Sequence, residues 1–232
     1  MIRTTVVLLF ALLLHVTPVR AGEVGFSGVL PNGALYTQSI ESMKERRFRY
    51  LVRQHTDYSC GAAALATILK YAYHLDADEA TVIEGMMGVS DPELVQQRGF
   101  SMLDVKRYVE SLGMRGRGYR VSEERLRTLR VPSLVLMDVR GFRHFVVLKQ
   151  VLGDMVEIGD PILGNRVVPV ADFLEAWPSR TVFVVVGSDF DRNTVLLLPS
   201  EKASARALYA RQGKPITDAE LVDFGFTHAD LF

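Results

Sequence analysis

The chain has 232 residues, with 27 acidic and 27 basic side chains and a single cysteine, Cys60. Balanced charge does not indicate a nucleic acid or an anionic membrane as a partner, and a lone cysteine excludes an internal disulfide. The sequence has no G-x-x-x-x-G-K-[ST] phosphate-binding loop and no cysteine–histidine cluster with metal-ligand spacing, so we expect no cofactor and no metal.

The N-terminus is typical of an export signal. A short charged start precedes an apolar run from Val6 to Leu14, and Val19 and Ala21 stand at the two positions that a signal peptidase reads. The run is too short to span a bilayer, which takes about 20 residues; a buried N-terminal helix is the alternative. We predict a signal peptide over residues 1–21, a periplasmic location and no integral membrane segment in the mature protein.

The rest of the chain is predicted to form one domain with flanking segments. Residues 22–47 are a lead-in, residues 48–187 the domain, and residues 188–232 a partly helical tail that either docks on the domain or binds a partner. After a short strand at 50–53, helices are predicted at 60–73, 78–87, 92–98 and 101–112. Strands follow, at 118–121, 133–139, 144–148, 155–158, 165–169 and 181–186. Helices followed by a strand meander indicate an α+β fold, with N-terminal helices packed on an antiparallel sheet.

Cys60 stands where a polar loop becomes an apolar, alanine-rich helix. The unpaired amides of a helix N-terminus stabilise a thiolate. The small residues Gly61–Ala64 let a substrate or another segment approach closely. In an oxidising compartment an unpaired cysteine is either an intermolecular partner or a reactive thiol, and this setting favours a nucleophile.

A thiol nucleophile needs a base, and His144 is the best placed histidine. It begins an apolar strand directly after a turn, which is a rigid position from which an imidazole can reach a helix N-terminus. A core histidine satisfied by its neighbours is an equally good interpretation of that position. The other histidines of the mature chain lie in the motif loop, after the first helix and in the tail: His55, His74 and His228.

Asp160 can orient that base. It ends the strand after the one that His144 begins, and adjacent antiparallel strands place the start of one beside the end of the next. A carboxylate there can accept the imidazole N–H and stabilise the imidazolium. Asp57 and Asp172 remain alternatives. Gln54, six residues before the cysteine, can donate an amide N–H to a substrate oxyanion.

Three blocks of the sequence resemble the C39 cysteine peptidases in order and spacing, across residues 48–187. They are the segment from Gln54 to Gly61, the strand that begins at His144, and the turn around Asp160. The resemblance implies a papain-like fold in which Cys60 is the nucleophile, His144 the base and then the acid, Asp160 the orienting group and Gln54 the oxyanion donor.

Two positions depart from the C39 pattern. Ser59 stands where an acidic residue is frequent before the cysteine, which weakens the expectation of cleavage after a double glycine. Arg143 precedes the histidine, although strand alternation should turn its side chain away from His144.

The resemblance implies an exported cysteine endopeptidase that cuts a leader-like peptide or a secreted subunit. As a small exported protein of this kind, the chain also resembles the C39-like member of functional-amyloid (Fap) export operons. That narrower resemblance implies an amyloid subunit or its secretion machinery as the partner. Two alternatives stay open: a catalytically silent module that binds a secretion substrate, and a cysteine-dependent acyltransferase in which an amine or thiol replaces water.

Overall fold

The computed structural model describes residues 23–26, 36–39, 41–139 and 141–199. The predicted signal peptide and the tail beyond residue 199 lie outside this part of the chain. The chain divides into two units, Met1–Arg46 and Arg47–Phe232. In the first unit, strands β1 (Glu23–Phe26) and β2 (Tyr36–Ser39) pair antiparallel within the predicted lead-in. Helix α1 (Met43–Arg47) follows them and ends one residue past the boundary.

Four further helices open the second unit, and capping residues account for where three of them begin. The side chains of Asp78, Asp91 and Ser101 each accept a hydrogen bond from the first turn that follows them. No helix in the described ranges is long and apolar enough to cross a membrane. The four are α2 (Cys60–Ala72), α3 (Glu79–Met87), α4 (Pro92–Arg98) and α5 (Met102–Ser111).

A six-stranded antiparallel sheet follows the helices, in the spatial order β3-β8-β4-β5-β6-β7. The last of these six strands in chain order therefore lies between the first two of the six, so the sheet is more than the predicted meander. Its strands are β3 (Arg115–Arg120), β4 (Ser133–Val139), β5 (Phe142–Leu152), β6 (Met155–Asp160), β7 (Gly164–Pro169) and β8 (Thr181–Val186). Three short helices connect or follow them: α6 (Glu123–Thr128), α7 (Val170–Glu175) and a 3-10 helix (Val195–Leu197).

The core has two layers, one on each face of the sheet. On one face, α2 lies against β5, and its residues from Ala62 to Ala66 have no exposed surface. A side chain at Gly61 would place its Cβ 3.2 Å from the ring of Phe145, so the small residues after Cys60 allow close helix–sheet packing. On the other face, Phe173 and Trp177 are fully buried against the sheet.

Three predicted strands differ clearly from the structure, and one of them is β3, which begins at Arg115 and not at residue 118. The strand predicted at residues 50–53 is wrong, because this segment has no regular structure and is held by single hydrogen bonds. Val52 N donates to Thr67 Oγ1 (2.9 Å), and Gln54 N donates to Pro161 O (2.9 Å). Strand β5 is also longer than the predicted 144–148 and continues past a bulge after Leu148.

Candidate active site

The first residue of α2 is Cys60, whose side chain is partly buried. Ser59 stands at the N-cap position, but its hydroxyl makes no capping hydrogen bond to the helix. The first amides of α2 are therefore left unoccupied by the usual cap. A thiolate at Cys60, or an oxyanion formed beside it, would meet the positive end of the helix dipole.

His144 and Asp160 form a buried pair between β5 and β6. Nε2 of His144 lies 2.9 Å from Oδ1 of Asp160, and the two residues are 6% and 4% exposed. The same Oδ1 accepts the backbone amides of Ile162 and Leu163, both at 2.9 Å. Burial alone would raise the pKa of Asp160, but the bonds from His144 and the two amides outweigh burial and hold that pKa below its ordinary value.

The second ring nitrogen of His144, Nδ1, is not bound by Asp160. Burial alone would lower the pKa of His144, but the hydrogen bond to Asp160 and the interaction with Cys60 raise it from 6.5 to about 9. Since Nε2 is taken by Asp160, Nδ1 is the nitrogen that remains for Cys60. Nδ1 is buried and has no hydrogen-bond partner of ordinary geometry among the described residues. Thiol and imidazole thus adjoin without a closed hydrogen bond, as is common in unliganded active sites.

Gln54 is anchored close to this pair at both its backbone and its side chain. Its backbone amide donates to the carbonyl of Pro161, the residue after Asp160, and its Nε2 donates to Thr56 O at 2.6 Å. That bond fixes the direction of the side-chain amide, since the flipped form would place two oxygens together. One N–H of Nε2 stays available, while Oε1 is buried with no partner within the described ranges. No described hydrogen bond joins Gln54 to Cys60 or His144 directly.

The loop before Cys60 is organised by Glu79, a residue that the sequence did not single out. This carboxylate, 7% exposed at the start of α3, accepts the amides of His55 (2.8 Å) and Thr56 (3.3 Å) and binds the hydroxyl of Ser59. Nδ1 of His55 lies 2.7 Å from its second oxygen. Burial raises the pKa of Glu79, but these hydrogen bonds outweigh it and lower that pKa.

One signal in the sequence could have led to Glu79. Ser59 replaces the acidic residue that is frequent before the cysteine, so a carboxylate could have been sought elsewhere for the loop. In the sequence, however, Glu79 is not distinguishable from any other acidic residue in the first turn of a helix.

The alternative residues lie elsewhere. Asp57 is exposed in the loop and Asp172 is exposed on α7, so neither has the buried contact of Asp160. His74 pairs with Asp191 at 3.2 Å just beyond the C-terminal end of α2. His228 lies outside the described residues. Arg143 is exposed, on the strand position next to His144.

An apolar cavity of about 350 Å³ opens beside the His144–Asp160 pair. The ring of Phe142 stacks against the imidazole, with 5.9 Å between centroids and 27° between planes, and is 59% exposed. Exposed Ile162 and Leu163 form another part of the wall, and Arg166 also lines it. This cavity fits an apolar side chain of a peptide beside the candidate base.

Comparison with known proteins places the chain in a family. The model of the peptidase C39 family matches residues 49–189. A protein of Pseudomonas aeruginosa described as a probable functional amyloid protease, FapD, is 48% identical over 228 residues, which are 98% of this chain and 99% of that protein.

Two solved structures resemble part of this chain. The peptidase domain of Streptococcus ComA, a bi-functional ABC transporter involved in a quorum-sensing pathway, matches with a TM-score of 0.51 and 20% identity over 60% of this chain and 98% of that domain, which supports the fold. A double glycine motif protease from an AMS/PCAT transporter, solved with its leader peptide, matches with a TM-score of 0.50 and 27% identity over 60% of this chain and 91% of that one. The chain therefore belongs to the peptidase C39 family and is a cysteine peptidase with the papain-like fold of that family.

Proposed function

We propose that this protein is an exported endopeptidase that cuts its substrate through Cys60, His144 and Asp160. The observation that carries the proposal is the ring of His144. Its Nε2 is held by Asp160 at 2.9 Å, its buried Nδ1 has no partner in the described residues, and the ring is close enough to Cys60 for the thiol to contribute to its raised pKa. A nucleophile, a base and an orienting group in this order are what thiol-based acyl transfer needs.

In the first half of the reaction, Sγ of Cys60 attacks the substrate carbonyl as its proton resides on Nδ1 of His144. Asp160 stabilises the resulting imidazolium, in keeping with the raised pKa of His144. The free N–H of Gln54 Nε2 and the uncapped amides at the start of α2 are the donors for the oxyanion. The imidazolium then gives its proton to the leaving amine, and a thioester remains on Cys60.

In the second half, water replaces the amine. His144, now neutral, takes a proton from the water as the oxygen attacks the thioester carbonyl. The carbon–sulfur bond breaks, the acid product leaves, and the thiolate–imidazolium pair is restored. Asp160 stays ionised throughout, because its hydrogen bonds keep its pKa low.

The substrate that we propose is a peptide segment with an apolar side chain for the cavity beside His144. Phe142, Ile162 and Leu163 supply the apolar wall of that cavity. The 48%-identical Pseudomonas protein is described as a probable functional amyloid protease, so we propose an amyloid subunit, or a protein exported with it, as the partner. Because Ser59 departs from the family pattern, the proposal includes no requirement for a double glycine.

The setting that we propose is the periplasm. The N-terminal pattern of residues 1–21 supports export and removal of a signal peptide. Residues 48–187 would then form the peptidase domain, preceded by a lead-in and followed by a tail.

A cleavage assay tests this function. The mature chain is incubated with each protein exported by the same cells, and the products are identified by mass spectrometry. We expect new peptide termini with the wild type, none with Cys60→Ala or His144→Ala, and normal cleavage with His74→Ala, a histidine remote from the site. Cleavage that persists in Cys60→Ala would contradict the proposal. A folded wild type that binds without cutting, or that forms ligated products, would contradict it in favour of the binding module or the acyltransferase.

A further inference from the structure

A second groove lies on the sheet at the end away from His144. It occupies about 500 Å³ between α6 and the strands β3 and β8, and we call it the basic groove. Val182, Val184 and Val186 of β8 form its floor, and Leu129 and Tyr119 flank them. Strand β4 separates β8 from β5, which carries His144, so this groove is not part of the candidate active site.

Strand register assigns the side chains of β3 to this groove. Arg115, Arg117 and Tyr119 pair with Val186, Val184 and Val182 of β8. Gly116, between the two arginines, points to the other face, because a Cβ there would lie 2.5 Å from the ring of Phe183, in the layer beneath α2 and α5. Since side chains alternate along a strand, both arginines and Tyr119 stand on the groove face.

The basic groove carries arginines that have no ion-pair partner in the described part of the chain. Arg125 and Arg130 line it, Arg115 and Arg117 extend it along the strand, and Arg120 borders it at the end of β3. None of these five guanidinium groups forms an ion pair with a carboxylate within the part of the chain that the structure describes. An apolar floor with an arginine rim fits a segment that is both apolar and acidic.

The chain itself contains such a segment. Residues 216–232 contain four acidic side chains and no lysine or arginine. Because the whole chain has zero net charge, the rest of it carries an excess of four positive charges. Between the acids lie large apolar side chains that suit the valine floor: Leu221, Phe224, Phe226, Leu231 and Phe232.

We propose that the acidic segment, residues 216–232, binds in the basic groove of the same chain. The 16 residues from 200 to 215 connect the described part to the segment, and an extended connector of that length reaches about 50 Å. Tethering also gives the segment an effective local concentration on the order of millimolar, which favours it over a free partner of similar chemistry. The segment thereby covers apolar surface and an exposed sheet edge at β3.

Hydrogen exchange on the full chain tests this binding, in a Cys60→Ala background so that proteolysis plays no part. The acidic-segment variant D218K/E220K/D223K is compared with a matched control, K202E/R206E, which reverses charges in the connector. We expect the amides of residues 115–120 to exchange at least tenfold faster in the acidic-segment variant and at the wild-type rate in the control. Adding R117E and R125E to the acidic-segment variant should restore the protection, because the charges are then swapped.

A synthetic peptide of residues 216–232 supplies the second readout. We expect it to bind the full-length acidic-segment variant at least tenfold more tightly than it binds the wild type, whose own segment competes. Adding R117E/R125E to the acidic-segment variant should abolish its binding of the peptide, whereas adding R98E, on α4, should not. Equal exchange rates in all variants, or peptide binding that is unaffected by substitution of the groove arginines, would overturn the proposal. Protection that rises with protein concentration alongside dimer formation would also overturn it, because the occupant would then be a second copy.

Discussion

Oδ1 of Asp160, on β6, lies 2.9 Å from Nε2 of His144 on the neighbouring strand β5, and two backbone amides donate to the same oxygen. The carboxylate is therefore fixed before any substrate arrives, and it fixes the imidazole through Nε2. This leaves Nδ1 as the only ring nitrogen free to exchange a proton with Cys60. The sheet thus carries the His144–Asp160 pair, and α2 carries the thiol at its first residue.

Two substitutions of Asp160 distinguish the effect of its negative charge from the effect of its hydrogen-bond acceptor. In Asp160→Asn the hydrogen-bond acceptor is kept but the negative charge is lost, so the pKa of His144 should fall from about 9. We expect the basic limb of the kcat/KM profile to move to lower pH by at least one unit. Asp160→Ala should lower kcat/KM about 100-fold or more at all pH values. Asp172→Asn, on α7, is the matched control and should behave as wild type; an unchanged profile in Asp160→Asn would contradict the assigned role.

The raised pKa of His144 also makes stability depend on pH. A group whose pKa is higher in the folded protein stabilises it fully below the unfolded value of 6.5, and this contribution is lost as pH rises through about 9. We expect the difference in unfolding free energy between wild type and His144→Gln to shrink by roughly 2–3 kcal/mol between pH 6 and pH 10. Urea unfolding under reducing conditions measures it. A difference that is constant over this range would show that His144 has no such interaction.

At low pH the opposite sign applies to Asp160. Its pKa is lowered in the folded protein, so its contribution is present above its ordinary value of 3.8 and is lost as pH falls through the folded value. The same pair thus stabilises the fold mainly between these limits.

Removing Glu79 should loosen the loop that precedes Cys60. Glu79→Ala leaves the amides of His55 and Thr56 and the hydroxyl of Ser59 without their acceptor. We expect a loss of roughly 2–4 kcal/mol in unfolding free energy and a fall in kcat of about tenfold or more with a smaller change in KM. Glu79→Gln keeps one acceptor oxygen and should recover part of both.

Glu84→Ala is the matched control for that change, since Glu84 is exposed on the same helix. It should leave both quantities at wild-type values. If Glu79→Ala lowers stability but leaves kcat unchanged, Glu79 supports only the fold and does not position Cys60.

Truncating Phe142 tests the cavity beside His144. The ring forms one wall of the cavity and stacks on His144. Phe142→Ala should therefore raise KM about tenfold, because an apolar substrate side chain loses part of its contact surface. Phe142→Leu should have a KM between those of the wild type and Phe142→Ala. Leu112 is an exposed apolar residue outside this cavity, so Leu112→Ala should leave KM unchanged. An unchanged KM in Phe142→Ala would exclude this cavity from substrate binding.

Local pattern was enough to predict some of this architecture. The helix after Cys60 follows from its small and apolar residues, and α2 indeed begins there. His144 and Asp160 were expected to be neighbours because consecutive antiparallel strands bring their ends together, and they are hydrogen-bonded. In each case the determining residues lie within a single element or in two consecutive strands.

Other features depend on contacts that leave no local pattern. Strand β8 lies between β3 and β4 although more than 40 residues separate it from both. The end of β5 was missed because Lys149 and Gln150 are polar; each is buried there with a partner from the next strands, Asn165 and Glu157. Glu79 is 20 residues from Ser59, so its contact with the loop is a property of the folded chain.

Alkylation of Cys60 across pH is the most direct test of the central claim, that His144 activates this thiol. The chain has one cysteine, so the rate of reaction with iodoacetamide reports on that residue alone. A free cysteine is almost wholly protonated at pH 6 and reacts slowly. We predict rapid alkylation of the wild type at pH 6 and a fall of at least tenfold in His144→Ala, with no change in His74→Ala. A rate at pH 6 that is as slow as that of free cysteine, and equal in wild type and His144→Ala, would contradict the account.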